Sequence, residues 1–266
     1  MKIGASTIAY RNRQLNADLL KEIKVSGIEI LELTDYHPAF DYADSAAFRT
    51  LKAALDDLEM QIYTLHAHLL YLDQACVLWA SSSDQRQHLL ASYQTAIDAF
   101  ARLGGGIMVT HDITIAERDQ PEHGEQLAAL TENLQQITTY AADHNVRIAV
   151  ENLGRGYFSD PVNLKNLVRA VGLDTIGMCI DTGHRNLNGD PVEALRIAGE
   201  KLFTVHIHDN HGQHDDHLLP TRGNINWSSI LQALDDIGYP GVFLYELSRA
   251  VDIGAVSRNF EQLQDK

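Results

Sequence analysis

Residues 147–181 read RIAVENLGRGYFSDPVNLKNLVRAVGLDTIGMCID. The stretch opens and closes on short apolar runs, Arg147–Asn152 and Ile176–Asp181, with a helical segment between them. Strand, helix and strand in that order imply parallel strands joined by a right-handed crossover. The alternation continues outward in both directions through KIGAST (Lys2–Thr7), IEILEL (Ile28–Leu33), QIYTLH (Gln61–His66), GIMVTH (Gly106–His111), FTVHIH (Phe203–His208) and VFLYEL (Val242–Leu247), which makes eight runs in all. Eight such units can close on themselves, so the expected fold is a single-domain α/β (β/α)8 TIM barrel over residues 1–266. An open doubly wound sheet is the structural alternative, but no GxGxxG turn follows an early strand, and Gly104-Gly105-Gly106 precedes one.

The segments between the runs carry helix signals. Ser45–Glu59 places Phe48, Leu51, Leu55 and Leu58 on one face, and Asp84–Gly104 ends on glycines suited to a helix stop. Ser45, Asp84 and Asp190 are expected to start helices, the last with Pro191 at the first helical position.

With 45% hydrophobic and 21% charged residues, the 266-residue chain has the composition of a globular protein with a sizeable core. A formal net charge of −15 opposes non-specific attraction to a phosphate backbone, so nucleic acid is not the expected partner. The two cysteines, Cys76 and Cys179, stand far apart and outside any CxxC spacing, which predicts reduced, buried thiols. The opening MKIGASTIAYRNRQL lacks an apolar leader core and no later run is long enough to span a membrane, so the expectation is a cytoplasmic protein.

In a barrel of this kind function gathers at the C-terminal ends of the strands. The runs close on His66 with His68 two residues on, then on His111, Glu151, Asp181 with His184 following, His206 and Glu246. Any one of these has a bland reading as a hydrogen-bonded or solvated side chain. Together they would ring one small mouth, where several carboxylates repel each other unless a cation neutralises them. Imidazole with carboxylate suits a divalent ion such as Zn, Mn, Fe, Co or Mg. The seven lysines fall in helices, before strands or at the terminus, so no Schiff-base lysine closes a strand. Arg11, Arg13, Arg118, Arg155, Arg185, Arg222 and Arg249 do follow strand ends, most of them as solvated charges and one or two as substrate contacts.

The histidine-rich stretch Val205–Gly223 divides by position. His206 closes a strand, His208 is expected to line the pocket beside His68, and His211 and His214 are expected to face solvent. His37, His88, His123 and His144 read as surface residues, while Tyr10, Tyr36, Tyr71, Trp79, Tyr157 and Phe158 are split between pocket and core packing.

The motifs IAVEN, CIDTGH, VHIHDN followed by DxH and GNINW, and GVFLYEL resemble, in this order, the xylose-isomerase-like barrels, which include sugar epimerases, inosose isomerases and dehydratases, dehydroshikimate dehydratases and endonuclease IV. The resemblance implies a metal held by Glu151, Asp181, His206 and Glu246, with Glu151 and Glu246 as acid and base on opposite faces of a substrate carbon. It implies a sugar (or sugar phosphate) isomerase or epimerase working through a metal-stabilised enediolate on a small sugar or polyol, and leaves homo-oligomerisation open. His66, His111, His184, Asp215 and His217 fall where endonuclease IV places further metal ligands, so a phosphodiester hydrolase at abasic DNA sites is the alternative, with a dehydratase-type lyase as a third. His68, His208 and Arg222 are expected to bind substrate. Asp216 stands between Asp215 and His217 where the endonuclease pattern has arginine, and an acid there repels phosphate.

Overall fold

The structure is a computed structural model, and it describes residues 1–35, 45–69, 73–111, 113–248 and 254–264. His37, Tyr36, Tyr71 and Arg249 lie outside the described residues.

All eight expected strands form: β1 (Lys2–Ser6), β2 (Ile30–Thr34), β3 (Gln61–Ala67), β4 (Gly106–Thr110), β5 (Val146–Glu151), β6 (Ile176–Asp181), β7 (Leu202–His206) and β8 (Val242–Tyr245). They make one sheet in the order β7-β6-β5-β4-β3-β2-β1-β8, and the ladders between hydrogen-bonded neighbours are parallel. The seam between β7 and β8 closes through one bridge, Ile207 to Tyr245, with Ile207 N donating to Leu244 O at 2.8 Å and Glu246 N to Ile207 O at 3.1 Å. The result is a nearly closed TIM barrel.

Helices return the chain between strands: α1 (Ala17–Val25), α2 (Ser45–Asp57), α3 (Ser83–Arg102), α4 (His123–Asp143), α5 (Pro161–Val171), the short α6 (Thr182–Asn186), α7 (Pro191–Ala198), α8 (Trp227–Asp236) and α9 (Ala255–Gln264). Asp190 caps α7 by accepting from Val192 N at 2.9 Å, with Pro191 following as expected. The α3 cap is Ser82 rather than Asp84: its hydroxyl accepts from Gln85 N, and Asp84 lies inside the first turn, where its charge favours the helix dipole. Gly172 stops α5 in the left-handed region at φ 74°, which a side chain would strain. Among the described residues no helix is long and apolar enough to cross a membrane.

One buried cluster fills the space between sheet and helices, and a second, built from Ile107, Val109, Ala149 and Cys179, fills the barrel interior. Side chains alternate faces along a strand, so Glu151, two residues past Ala149, and Asp181, two past Cys179, continue that inward face at its C-terminal end. Two irregularities adjust the phase elsewhere. The β2 to β3 register passes from Leu31–Ile62 to Glu32–Thr64, leaving Tyr63 unpaired, and β6 to β7 passes from Met178–Leu202 to Cys179–Thr204, leaving Phe203 unpaired. Tyr63 and Phe203 pack on the interior cluster, joined by a hydrogen bond from Tyr63 Oη to Phe203 O at 3.2 Å. An extra residue of this kind re-aims the side chains after it, and His66 and His206 both lie just past one.

Candidate metal centre at the barrel mouth

Above the apolar interior layer, His66 and His206 sit among four carboxylates, those of Glu32, Glu151, Asp181 and Glu246. His66 Nε2 lies 3.2 Å from Glu151 Oε2, and His66 Nδ1 lies 3.2 Å from Glu246 Oε1, so the two glutamates flank opposite nitrogens of one ring. His206 Nδ1 is 3.3 Å from Glu151, 3.6 Å from Glu246 and 4.0 Å from Asp181. Glu151, Asp181 and His206 are fully buried, with His66 and Glu246 2% exposed.

Several of these atoms lack a well-directed hydrogen bond. Both Glu151 oxygens, His66 Nε2 and His206 Nδ1 are buried without a partner of good geometry, although they lie 3.2–3.3 Å apart. Atoms that are close but misaligned do not satisfy each other. A buried carboxylate left unsatisfied is costly, and a cation among these oxygens and nitrogens would relieve that cost. The donor set therefore fits a divalent metal of the zinc, manganese, iron or cobalt type. Cys179 lies in the apolar layer beneath, where burial pushes its thiol up.

The titration of the cluster follows its charges. Burial works to raise the Glu151 carboxyl, yet His206 and His66 beside it hold it well below the usual range. Glu246 goes the other way, raised by burial that His206 and His217 only partly offset. Burial likewise works against charge on His206, but the carboxylates of Glu32, Glu246 and Glu151 together hold it well above the ordinary histidine range. Positive charge in the acid cage thus falls to His206, because burial and the neighbouring His68 push His66 well below the ordinary histidine range.

Sequence reasoning missed Glu32. It stands in the middle of β2 and is fully buried; its Oε2 accepts from His206 Nε2 at 2.9 Å and from the Thr64 hydroxyl at 2.9 Å. The signal was present, since a carboxylate inside an apolar run either breaks the strand or faces a purpose-built polar site. The ligand-forming atoms of Glu32, His66, His206 and Glu246 lie within 4.8 Å of one another.

The expected further ligands divide into two groups. His111 joins His66 and His68 on one side, its ring 5.0 Å from that of His66 and 4.9 Å from that of His68. His68 contacts Thr34 Oγ1 through Nδ1 at 3.3 Å, and its backbone N donates to Asp35 at 2.7 Å. On the other side His184, Asp215 and His217 assemble: His184 Nε2 is 3.3 Å and His217 Nε2 3.0 Å from Asp215 Oδ2. Asp181 caps α6 by accepting from His184 N at 2.7 Å, which fixes both residues, and Asn152 holds the Asp181 backbone from the end of β5.

The loop carrying Asp215 and His217 is tied down by Asp209, also fully buried. Its carboxylate accepts from Thr221 N, Ile225 N and Trp227 Nε1 at 2.9, 3.2 and 2.9 Å. His211 and His214 are exposed, as their position past the strand end predicts. Two expected substrate contacts look different in place. Arg222 is exposed, and His208 is fully buried against Asp181 instead of lining an open wall. Phe158 packs in the core, while Trp79 is half-buried and donates to Thr114 O.

Among the described residues a cleft opens beside the cluster. Its volume is about 620 Å³, and it is lined by His111, Leu153, Gly154, Arg155, His184 and Asp215 among others. That size suits a small polar molecule rather than a polymer enclosed along its length.

A model of the xylose isomerase-like TIM barrel family matches residues 17–263. Relatives include the uncharacterized protein MJ1311 of Methanocaldococcus jannaschii, 28% identical over 252 residues that span 92% of this chain and 83% of the relative. An inosose isomerase of Bacillus velezensis is 25% identical over 235 residues, 82% of either chain. A solved D-tagatose 3-epimerase-like protein superposes with a TM-score of 0.83 at 25% identity, covering 100% of this chain and 96% of that one.

Proposed function

The chain belongs to the xylose isomerase-like TIM barrel family, and from that premise we propose that it is a divalent-metal-dependent isomerase or epimerase of a small sugar, sugar phosphate or polyol ketone. The observation that carries this reading is the pair Glu151 and Glu246, set against opposite nitrogens of His66 in a buried cage that also holds His206 and Asp181. Similarity to an inosose isomerase and to a D-tagatose 3-epimerase-like protein supports the substrate class.

Glu151, Asp181, His206 and Glu246 would hold the metal. When bound, it supplies Lewis acidity, polarising a substrate carbonyl and easing the negative charge that develops beside it. Glu151, held ionised by its histidines, is the side chain suited to take a proton from the carbon next to that carbonyl. Glu246, pushed toward its protonated form, is suited to return one from the other side. Proton removal leaves an enediolate in the substrate, and return to the opposite face inverts the carbon. His184, half-buried at the edge of the cleft, has Nε2 on Asp215 at 3.3 Å and Nδ1 on Asn152 O at 3.1 Å, which fixes its ring as part of the cleft wall. The apolar layer of Ile107, Val109 and Ala149 beneath excludes water from the carbon acid.

The test is isotope exchange. Metal-loaded protein incubated in D2O with ketohexoses and inososes should place deuterium on the carbon beside the carbonyl, read by proton NMR. Metal-loaded protein that exchanges no such proton in any of them would remove the basis for the proposal.

A further inference from the structure

Beyond the first cage, Asp181, His184, Asp215 and His217 form a second donor cluster nearer solvent. Its contacts of 3.3 Å from His184 to Asp215 and 3.0 Å from His217 to Asp215 are close to the roughly 3.4 Å that separates two ligands of a tetrahedral ion with bonds of about 2.1 Å. Spacing alone would admit another cation here.

The gap between the two aspartates is filled by His208. Its Nε2 lies 2.9 Å from Asp181 Oδ1, 3.1 Å from Asp181 Oδ2 and 3.7 Å from Asp215 Oδ1. The ring is fully buried and stacks on His217 with centroids 3.9 Å apart and planes 14° apart. Its other side rests on Gly183, where a Cβ would fall 1.9 Å from His208 Cε1. His208 stays there only because position 183 has no side chain.

We infer that the His208 imidazole occupies the place of a second cation, so that the centre holds one divalent ion where its remaining donors would hold two. The inference rests on the metal reading above. An N–H directed at two carboxylates lowers their mutual repulsion as an ion would, and carboxylate oxygens facing Nε2 favour the tautomer that keeps the hydrogen there even in a neutral ring. An ion bonded to Asp181 and Asp215 at about 2.1 Å would overlap that N–H, so the two occupants exclude each other. The chemical consequence is a choice of reaction. A single ion suffices beside a carbonyl, whereas in-line displacement at phosphorus commonly uses a pair of ions about 3.5–4 Å apart. On this reading His208 biases the barrel away from phosphodiester hydrolysis.

The experiment is metal stoichiometry by mass spectrometry on full-length protein stripped with chelator, reloaded with Mn2+ or Zn2+ and desalted. Wild type should carry one ion per chain. His208→Asn should carry two, and Gly183→Ala, whose methyl drives the ring out of its seat, should do the same even if His208→Asn folds poorly. Adding His217→Ala to His208→Asn should return the count to one, which locates the gained ion. One ion in wild type and in both variants would overturn this inference alone. Two in wild type, falling to one in His208→Asn, would make His208 a ligand and overturn it as well. No ion in wild type would instead sink the metal reading on which it rests.

Discussion

Glu32 Oε2 accepts a hydrogen bond from His206 Nε2 at 2.9 Å, and the remaining nitrogen of that imidazole, Nδ1, faces Glu151 at 3.3 Å and Glu246 at 3.6 Å. Engaging one nitrogen fixes the ring and turns the other toward the cage, as the face that would meet a metal. A carboxylate behind a metal-binding histidine makes it a better donor, typically by 10- to 100-fold in metal affinity.

Glu32→Ala should therefore weaken metal binding by roughly 10- to 100-fold, with Glu32→Gln intermediate because its carbonyl still accepts from Nε2. Competition against a fluorescent chelator measures this. Unchanged affinity in Glu32→Ala would show that the Glu32 contact does not position His206.

Glu246→Gln keeps the size and an oxygen donor but cannot carry the transferred proton. Turnover should fall by about 100-fold or more, while Glu246→Gln protein still takes up metal. Product analysis in D2O should then show exchange at the substrate carbon continuing faster than inversion, since Glu151 remains able to take the proton. Inversion at the wild-type rate would remove Glu246 from the mechanism.

The Asp215–His217 pair predicts a pH dependence in metal-free protein. Burial works against charge on His217, but its hydrogen bond to Asp215 raises it to about 9 from an ordinary value of 6.5. A group raised on folding contributes stability that is fully present below 6.5 and lost as pH climbs through about 9. Chelated wild type should thus lose Tm between these values relative to His217→Gln. A constant difference between the two melting curves across that window would count against the ion pair.

Metal loading should also be proton-linked. Protons on His206 must leave before the ion enters, so affinity rises with pH across the histidine range and binding acidifies a weakly buffered solution. Saturation at about 1,000 times Kd should add roughly 4 kcal/mol to stability. Calorimetry in buffers of different ionisation enthalpy counts the protons, and zero release would mean that the cage is already deprotonated.

Much of the molecule was legible without coordinates. The eight apolar runs, their spacing and their closing residues depend only on local chemistry, because a strand buried on both faces must be apolar and its end is where polar side chains can return. That is why Glu151, Asp181, His206 and Glu246 stood out by position together with His66, His111 and His184, the family resemblance then picking the four from that set, and why His211 and His214, past the strand end, could be set aside. Glu32 escaped because it stands within its run, where hydrophobic pattern and functional side chain compete for one position. Asp84 escaped as a non-cap because Ser82 and Asp84 are both good caps, and only the path of the chain chooses between them.

The tertiary structure decided what the donors do to each other. Alternation along a regular strand assigns each side chain to a face, but the irregularities at Tyr63 and Phe203 shift that phase just before His66 and His206, and a bulge depends on the neighbouring strand. Likewise DNHGQHDDH shows an abundance of ligands, whereas the seating of His208 between Asp181 and Asp215 depends on Gly183, 25 residues earlier and in contact only after the barrel closes. Residue types and local periodicity are properties of the chain; which imidazole faces which carboxylate is a property of the packed barrel.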